Sequence, residues 1–258
     1  MSNSTWKTCS PSVNHEGQRF EDFWERFERE LKRAKCKALI RNPIILILAL
    51  VIFDIQNSLP NRRVEFYKKC IDTFLVARED RKNAFEQTEG FKNILSDNSV
   101  VPQIAHYKFD KINEDLRYRF TTEELKEAIM QAIDVPDRRQ WHEPVSLFAK
   151  YLIDRTELIR ETGGDVLDFS HKTFYEYFLA VYYAQECGTE ELLELLDQWI
   201  GDSNNDEMAR LIIEVIVEKN DARQHRAVIE HLFSLLDSNW IREDAFFIIS
   251  GSYEHNAL

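Results

Sequence analysis

Glycine and proline are scarce in this chain: 7 Gly and 6 Pro in 258 residues, about half the ordinary use of each. Gly-rich nucleotide folds and turn-dense β-sandwiches use more, so an α-dominated architecture is expected. The four cysteines, Cys9, Cys36, Cys70 and Cys187, stand far apart with no CxxC pair. Neither a zinc site nor a disulfide framework is implied, and reduced thiols in the cytoplasm are the expectation. Long hydrophobic runs are missing too. The longest, Ile44 to Phe53, is half of the roughly 20 residues a spanning helix needs, so no membrane partner is expected. Met1 to Gly17 is polar throughout and reads as no signal peptide.

Several chemical signatures are missing as well. No GxxxxGK[ST] occurs and no Gly precedes a Lys, so the loop that cradles nucleotide phosphates is absent. GxGxxG, GxSxG, HExxH and the EF-hand loop are also absent. His142-Glu143-Pro144 is set aside as a zinc-protease fragment because Pro144 is expected to block the helix such a site requires. The neighbours Ser170 and His171 do not make a nucleophile–base pair by adjacency. The chain alone is therefore expected not to be an enzyme, and to carry no catalytic or metal-binding residues.

Charge of one sign prevails. The formal net charge is −12, an unfavourable footprint for a general nucleic-acid or anionic-membrane binder. The balance is uneven: basic side chains are in slight excess over residues 1–90, whereas acidic ones are about twice as frequent as basic ones beyond. Separate modules with different surfaces are the expectation.

Periodicity supplies the elements. From Phe20 the apolar positions Phe23, Trp24, Phe27, Leu31 and Ala34 recur at helical spacing. Pro43 suits the first turn of a second helix. The run Ile44–Phe53, followed by Asp54, reads either as a buried strand presenting an acidic metal ligand or as a helix buried on all sides, and periodicity does not separate the two. Leu59-Pro60-Asn61 marks another helix start, with Phe66, Tyr67, Cys70, Ile71, Phe74 and Leu75 as its apolar stripe. Residues 78–90 are polar and close that module. Thr121-x-x-Glu124 is a capping box ahead of Leu125, Ala128, Ile129 and Ile133. A loop over Asp134–Pro144 and a helix with Val145, Phe148, Leu152 and Ile153 come next. Gly163-Gly164 between short apolar stretches then signals a β-hairpin. Helices followed by such a hairpin describe a winged helix. Beyond an aromatic helix with Phe174, Tyr177, Phe178, Val181 and Tyr182, amphipathic stretches near 190–200, 206–218 and 225–237 read as stacked helical pairs.

At Ser170-His171 a hairpin strand hands over to a helix, where free backbone N–H groups and the positive end of the helix suit a phosphate. A purely structural histidine bonded to backbone at that corner is the alternative. The string Phe169-Ser-His-Lys-Thr-Phe-Tyr-Glu-Tyr-Phe-Leu-Ala-Val-Tyr-Tyr-Ala184 resembles the segment that ends the winged helix of NACHT-type signalling NTPases of the STAND class, usually Phe-x-His-x-x-Phe-x-Glu-Tyr/Phe-x-x-Ala. Asn42-Pro43-Ile-Ile-Leu is similar to the opening of that family's helical domain. Leu59-Pro60-Asn61-Arg62 with Phe66-Tyr67-Lys68-Lys69 is similar to its next helix. Order and spacing agree over roughly residues 20–187.

The expected architecture is mainly α: a flexible tail at 1–19, a helical domain at 20–90, a winged-helix domain at 91–187 with one short β-hairpin, and stacked helical pairs at 188–258. The resemblance implies that Pro43 packs near an adenine and that His171 contacts the terminal phosphate of ADP, holding an off state. It assigns Phe174, Glu176 and Tyr177 to packing, and it favours a buried helix at Ile44–Phe53 with Asp54 as a boundary residue. The family's Walker lysine, magnesium ligands and sensor arginine have no counterpart here, and Arg41 stands where many relatives have a small residue. ADP or ATP is therefore expected only when a P-loop core completes the site. The implied partner is that core, a full NACHT protein, or a second copy of the chain. The implied role is cytoplasmic signal transduction, as in antiviral defence. A DNA-binding winged-helix regulator with Glu123–Ile133 as recognition helix is the alternative. It draws on Lys111, Arg117, Arg119, Lys126, Arg138 and Arg139.

Overall fold

The computed structural model describes residues 20–34, 43–75, 88–109, 119–133, 137–156, 158–200, 205–219 and 221–237, with Ile40, Val135 and Asp202 singly. The expected tail, Cys9, Cys36, Arg41, Asn42, the polar stretch 78–87, Lys111 and Arg117 lie outside the described residues, as do the side chains of Phe74 and Leu75. The fold is mainly α, as expected. It divides into two units, Met1–Ala77 and Arg78–Leu258.

The first unit holds α1 (Phe20–Arg33), α2 (Pro43–Gln56) and α3 (Arg63–Leu75). The run Ile44–Phe53 is helical, and the strand reading falls with it. The ring of Phe53 on α2 meets α1 through Phe23 at 5.3 Å and Phe27 at 5.4 Å, with Arg26 over its outer side at 5.8 Å. Asn57 ends α2 with φ +55, a left-handed geometry that asparagine tolerates best after glycine. Its side chain accepts from Arg26 at 3.0 Å. Glu30 and Arg33 then hold the following loop, one accepting from the Leu59 N–H at 3.2 Å and the other donating to the Leu59 carbonyl at 3.2 Å. The Arg33 guanidinium beside Glu30 keeps that carboxyl below its ordinary pKa. One expectation is corrected here. The second helix is not buried on all sides, because Ile47, Val51 and Ile55 are exposed. They recur every four residues and so share one face.

In the second unit, α4 (Glu89–Ser96) and α5 (Val100–His106) precede β1 (Arg119–Phe120). Next come α6 (Thr122–Ala132), α7 (His142–Asp154), β2 (Ile159–Gly163) and β3 (Val166–Phe169). The strands form an antiparallel sheet of order β1-β3-β2, so the hairpin seen in the sequence gains a third, two-residue strand. Helix, strand, two helices and a hairpin in this order make a winged helix, with α6 and α7 as its helix-turn-helix pair. Gly164 takes φ +63 at the hairpin tip, where a side chain would be strained. Next to it, the Asp165 carboxylate accepts from the Thr122 hydroxyl at 2.6 Å and N–H at 3.2 Å, tying the wing to the start of α6.

The capping box is present in full: Thr121 accepts from the Glu124 N–H, and the Glu124 carboxylate accepts from the Thr121 N–H at 2.8 Å. Buried Lys108 reaches the same carboxylate at 2.8 Å and the Arg119 carbonyl at 2.9 Å. One ammonium thus fastens the chain after α5 to β1 and to the cap of α6.

The expected loop to Pro144 is shorter than read. A 3₁₀ turn at Arg138–Trp141 leads directly into α7, which begins at His142. Pro144 lies in the first turn of α7, where a missing N–H is harmless. It does not block that helix. The zinc motif fails instead because Ser146 occupies the position of the second histidine. Pro144 packs against α4 so closely that a Cβ on Gly90 would stand 2.7 Å from its Cγ. Gly90→Ala should therefore destabilise the unit by about 1–3 kcal/mol, although helix propensity alone favours alanine by about 1 kcal/mol. Urea denaturation reads the sign directly.

α8 (Lys172–Glu186) is the spine of this unit and packs on both α5 and α10 (Asp206–Lys219). Phe174, Tyr175, Tyr177, Phe178 and Tyr183 are buried within the chain itself. These aromatics are core. α9 (Thr189–Trp199), α10 and α11 (Ala222–Asp237) follow at the expected places. Trp199 meets Tyr183 edge-on at 5.4 Å. Lys219 donates to the Ala184 carbonyl at 2.9 Å, near the end of α8.

Candidate phosphate-facing site

His171 sits between β3 and α8 because the sheet ends one residue earlier, where the Ser170 N–H donates to the Leu158 carbonyl at 2.9 Å. Its own backbone is extended (φ −150, ψ 133), the usual N-cap geometry. The side chain supplies the cap. Nδ1 accepts from the Thr173 N–H at 3.1 Å and lies 2.7 Å from the Thr173 hydroxyl. A nitrogen that accepts carries no proton, so the neutral ring holds its hydrogen on Nε2. Burial, and then the nearby positive charge of Arg160, push the imidazole pKa below its ordinary value. The ring is thus half-buried and neutral at pH 7, with its proton on Nε2.

Arg160 is brought there by the hairpin register. It stands opposite Asp168 on β3, which stands opposite Arg119 on β1. Asp168 is buried and lies 3.4 Å from Arg119 Nε. A row Arg119–Asp168–Arg160 therefore crosses the outer face of the sheet beside the helix start. Sequence reading found His171 but missed Arg160. A register shift between Glu161 and Gly163 sets the pairing of Arg160 with Asp168, three residues before His171, and counting back from the Gly-Gly turn does not find it.

Pro43 is the first residue of α2, exposed, in the first unit. His171 belongs to the second. Phe174 and Tyr177 are buried on α8, and Glu176 lies 3.3 Å from the Lys172 ammonium. Among the described residues, no group of three or more His, Cys, Asp or Glu is arranged to hold a metal ion. Among the same residues, no helix is long and apolar enough to cross a membrane.

The helix singled out for DNA recognition needs correction. Glu123–Ile133 corresponds to α6, the first of the helix-turn-helix pair, whereas the second helix is α7. The exposed residues of α7 include Glu143, Asp154 and Lys150. Several cations counted for that reading are engaged inside the domain: Lys126 with Glu123 at 2.9 Å, Arg138 with Glu127 at 3.3 Å, and Arg119 with Asp168.

Comparison of the chain with family models, with curated proteins and with solved structures gives no match.

Proposed function

We propose that this chain is the regulatory part of a nucleotide-switch protein of the NACHT kind, whose winged helix reads a nucleotide phosphate held by a separate P-loop core. The observation that carries the reading is the state of His171. A neutral imidazole fixed through its Nδ1 at a helix start, next to the Arg160 charge, carries its proton on Nε2. A phosphate oxygen is the acceptor that such a proton, beside a positive charge, favours. The chain acts by docking on that core in the cytoplasm and performs no catalysis of its own. Defence signalling is the biological setting that the resemblance suggests.

Affinity must come mainly from the partner. One hydrogen bond to a charged group contributes about 1.5–3 kcal/mol, whereas micromolar binding needs about 8 kcal/mol. Titration calorimetry of the isolated chain with ADP should show no saturable binding at micromolar concentration. Affinity purification of the tagged chain from its native cells should recover a P-loop protein in stoichiometric amount. His171→Ala should then lower the ADP that the pair retains. If no P-loop protein is recovered, or ADP retention is unmoved by the substitution, the reading fails. The DNA-binding alternative is disfavoured by the internally paired cations and the mixed charge of α7.

A further inference from the structure

One carboxylate serves two guanidinium groups on the outer face of the sheet. Residues directly opposite in antiparallel strands share a face. Phe120 with Leu167 and Ile159 with Phe169 are such pairs, all buried. The alternate row, Arg119, Asp168 and Arg160, therefore stands on the other face. Asp168 lies 3.4 Å from Arg119 Nε. The Arg160 side chain, by contrast, makes no ion pair, hydrogen bond or ring contact among the described residues.

The next cation along the chain is engaged as well, Lys172 with Glu176 at 3.3 Å. Arg160 is thus an exposed cation without a counter-ion, in a chain whose formal net charge is −12. It is also close enough to His171 for its charge to act on the imidazole. A guanidinium is a planar, always charged fork that meets phosphate or carboxylate through two parallel N–H···O bonds. A terminal phosphate carries close to two negative charges near pH 7 against one on a carboxylate, so it gains more from an unmatched cation.

We propose that Arg160 is the residue that binds the nucleotide phosphate directly, through a bidentate guanidinium contact. The proposal rests on the phosphate reading of His171 and names the group that supplies its positive charge.

The full chain, recovered in complex with its P-loop protein, tests it. Arg160→Gln should lower the affinity of the pair for ADP at least about tenfold, the effect of one lost hydrogen bond to a charged group. Arg160→Lys keeps the charge without the fork, and should restore part of that loss. Lys150→Gln removes an exposed charge from α7 and should leave the affinity unchanged. On the chain by itself, NMR titration should show the His171 pKa rising in Arg160→Gln, because a neighbouring positive charge is gone. If His171→Ala lowers ADP affinity and Arg160→Gln does not, the proposal is overturned while the phosphate reading stands. A His171 pKa that does not move, or a Lys150→Gln effect as large as that of Arg160→Gln, overturns it equally. So does loss of the partner protein itself in Arg160→Gln, which would make Arg160 a contact to a protein carboxylate. Recovery of no P-loop protein removes the reading and the proposal together.

Discussion

Lys108→Met is expected to lower the stability of the second unit by about 2–3 kcal/mol. The methionine keeps most of the apolar stem but gives up the ammonium that lies over the Phe120 ring, 5.6 Å from its centroid. What it removes is the charge and the donors. The Arg119 carbonyl and the Glu124 carboxylate then lose their shared partner, in a place where the lysine itself is 7% exposed. Full loss from a buried ion pair would be larger, about 3–5 kcal/mol. Here the Glu124 side chain keeps 38% of its exposure, so water compensates part of the change.

Acid should shrink that difference to the part that the Arg119 carbonyl accounts for. Burial pushes the Glu124 carboxyl upward, but Lys108 and the Thr121 N–H more than offset it, so its pKa in the fold is lowered. A depressed carboxylate adds stability that is complete above its unfolded value, about 4.3. That contribution is lost as pH falls through the lower folded value. Wild type and Lys108→Met should therefore differ most near neutrality and least below about pH 4. Urea midpoints measured from pH 7 to pH 3 decide it. A gap that stays constant over this range would mean that the lysine acts through packing and the Arg119 carbonyl and not through Glu124.

Such a clamp was not legible in the sequence, although its parts were. Thr121-x-x-Glu124 is a local pattern, and the capping box followed because both partners lie within one turn. Lys108 is sixteen residues from Glu124, and no local rule links them. The same division runs through the fold. Helices α1, α6, α8, α9, α10 and α11 were visible because their apolar residues recur at a single period. The ten-residue run in α2 was ambiguous because every position is apolar, and a uniform pattern has no period to read. Its exposed Ile47, Val51 and Ile55 have the same composition as their buried neighbours. β1 was missed because two residues carry no alternation at all. Pro144 was misjudged because a proline reads alike at the end of a loop and in the first turn of a helix; the 3₁₀ turn before it decides which. At the candidate site, His171 stood out through its strand-to-helix position. Its tautomer depended on Thr173 two residues on, and its charged neighbour Arg160 came from strand register.

Phe174→Ala should cost about 3–5 kcal/mol, whereas His171→Asn should cost less than about 1 kcal/mol. This pair separates what the start of α8 does for folding from what His171 would do at a phosphate. Phe174 is wholly buried on α8, and its ring meets the His171 ring edge-on at 6.5 Å. Removing it opens a cavity beneath the helix start. Asparagine at 171 is among the best N-caps, so the Thr173 N–H keeps an acceptor. A second signature lies in pH. The folded pKa of His171 is lowered by burial and by Arg160. Below the ordinary value of about 6.5 the unfolded chain therefore takes up the proton more readily, and stability falls until the folded value is passed. His171→Asn should flatten that part of the stability curve, and Phe174→Ala should shift the curve downward at every pH. If His171→Asn instead leaves the pH dependence unchanged, the imidazole is not the neutral donor described here. The phosphate reading would then lose its chemical basis even with the fold intact.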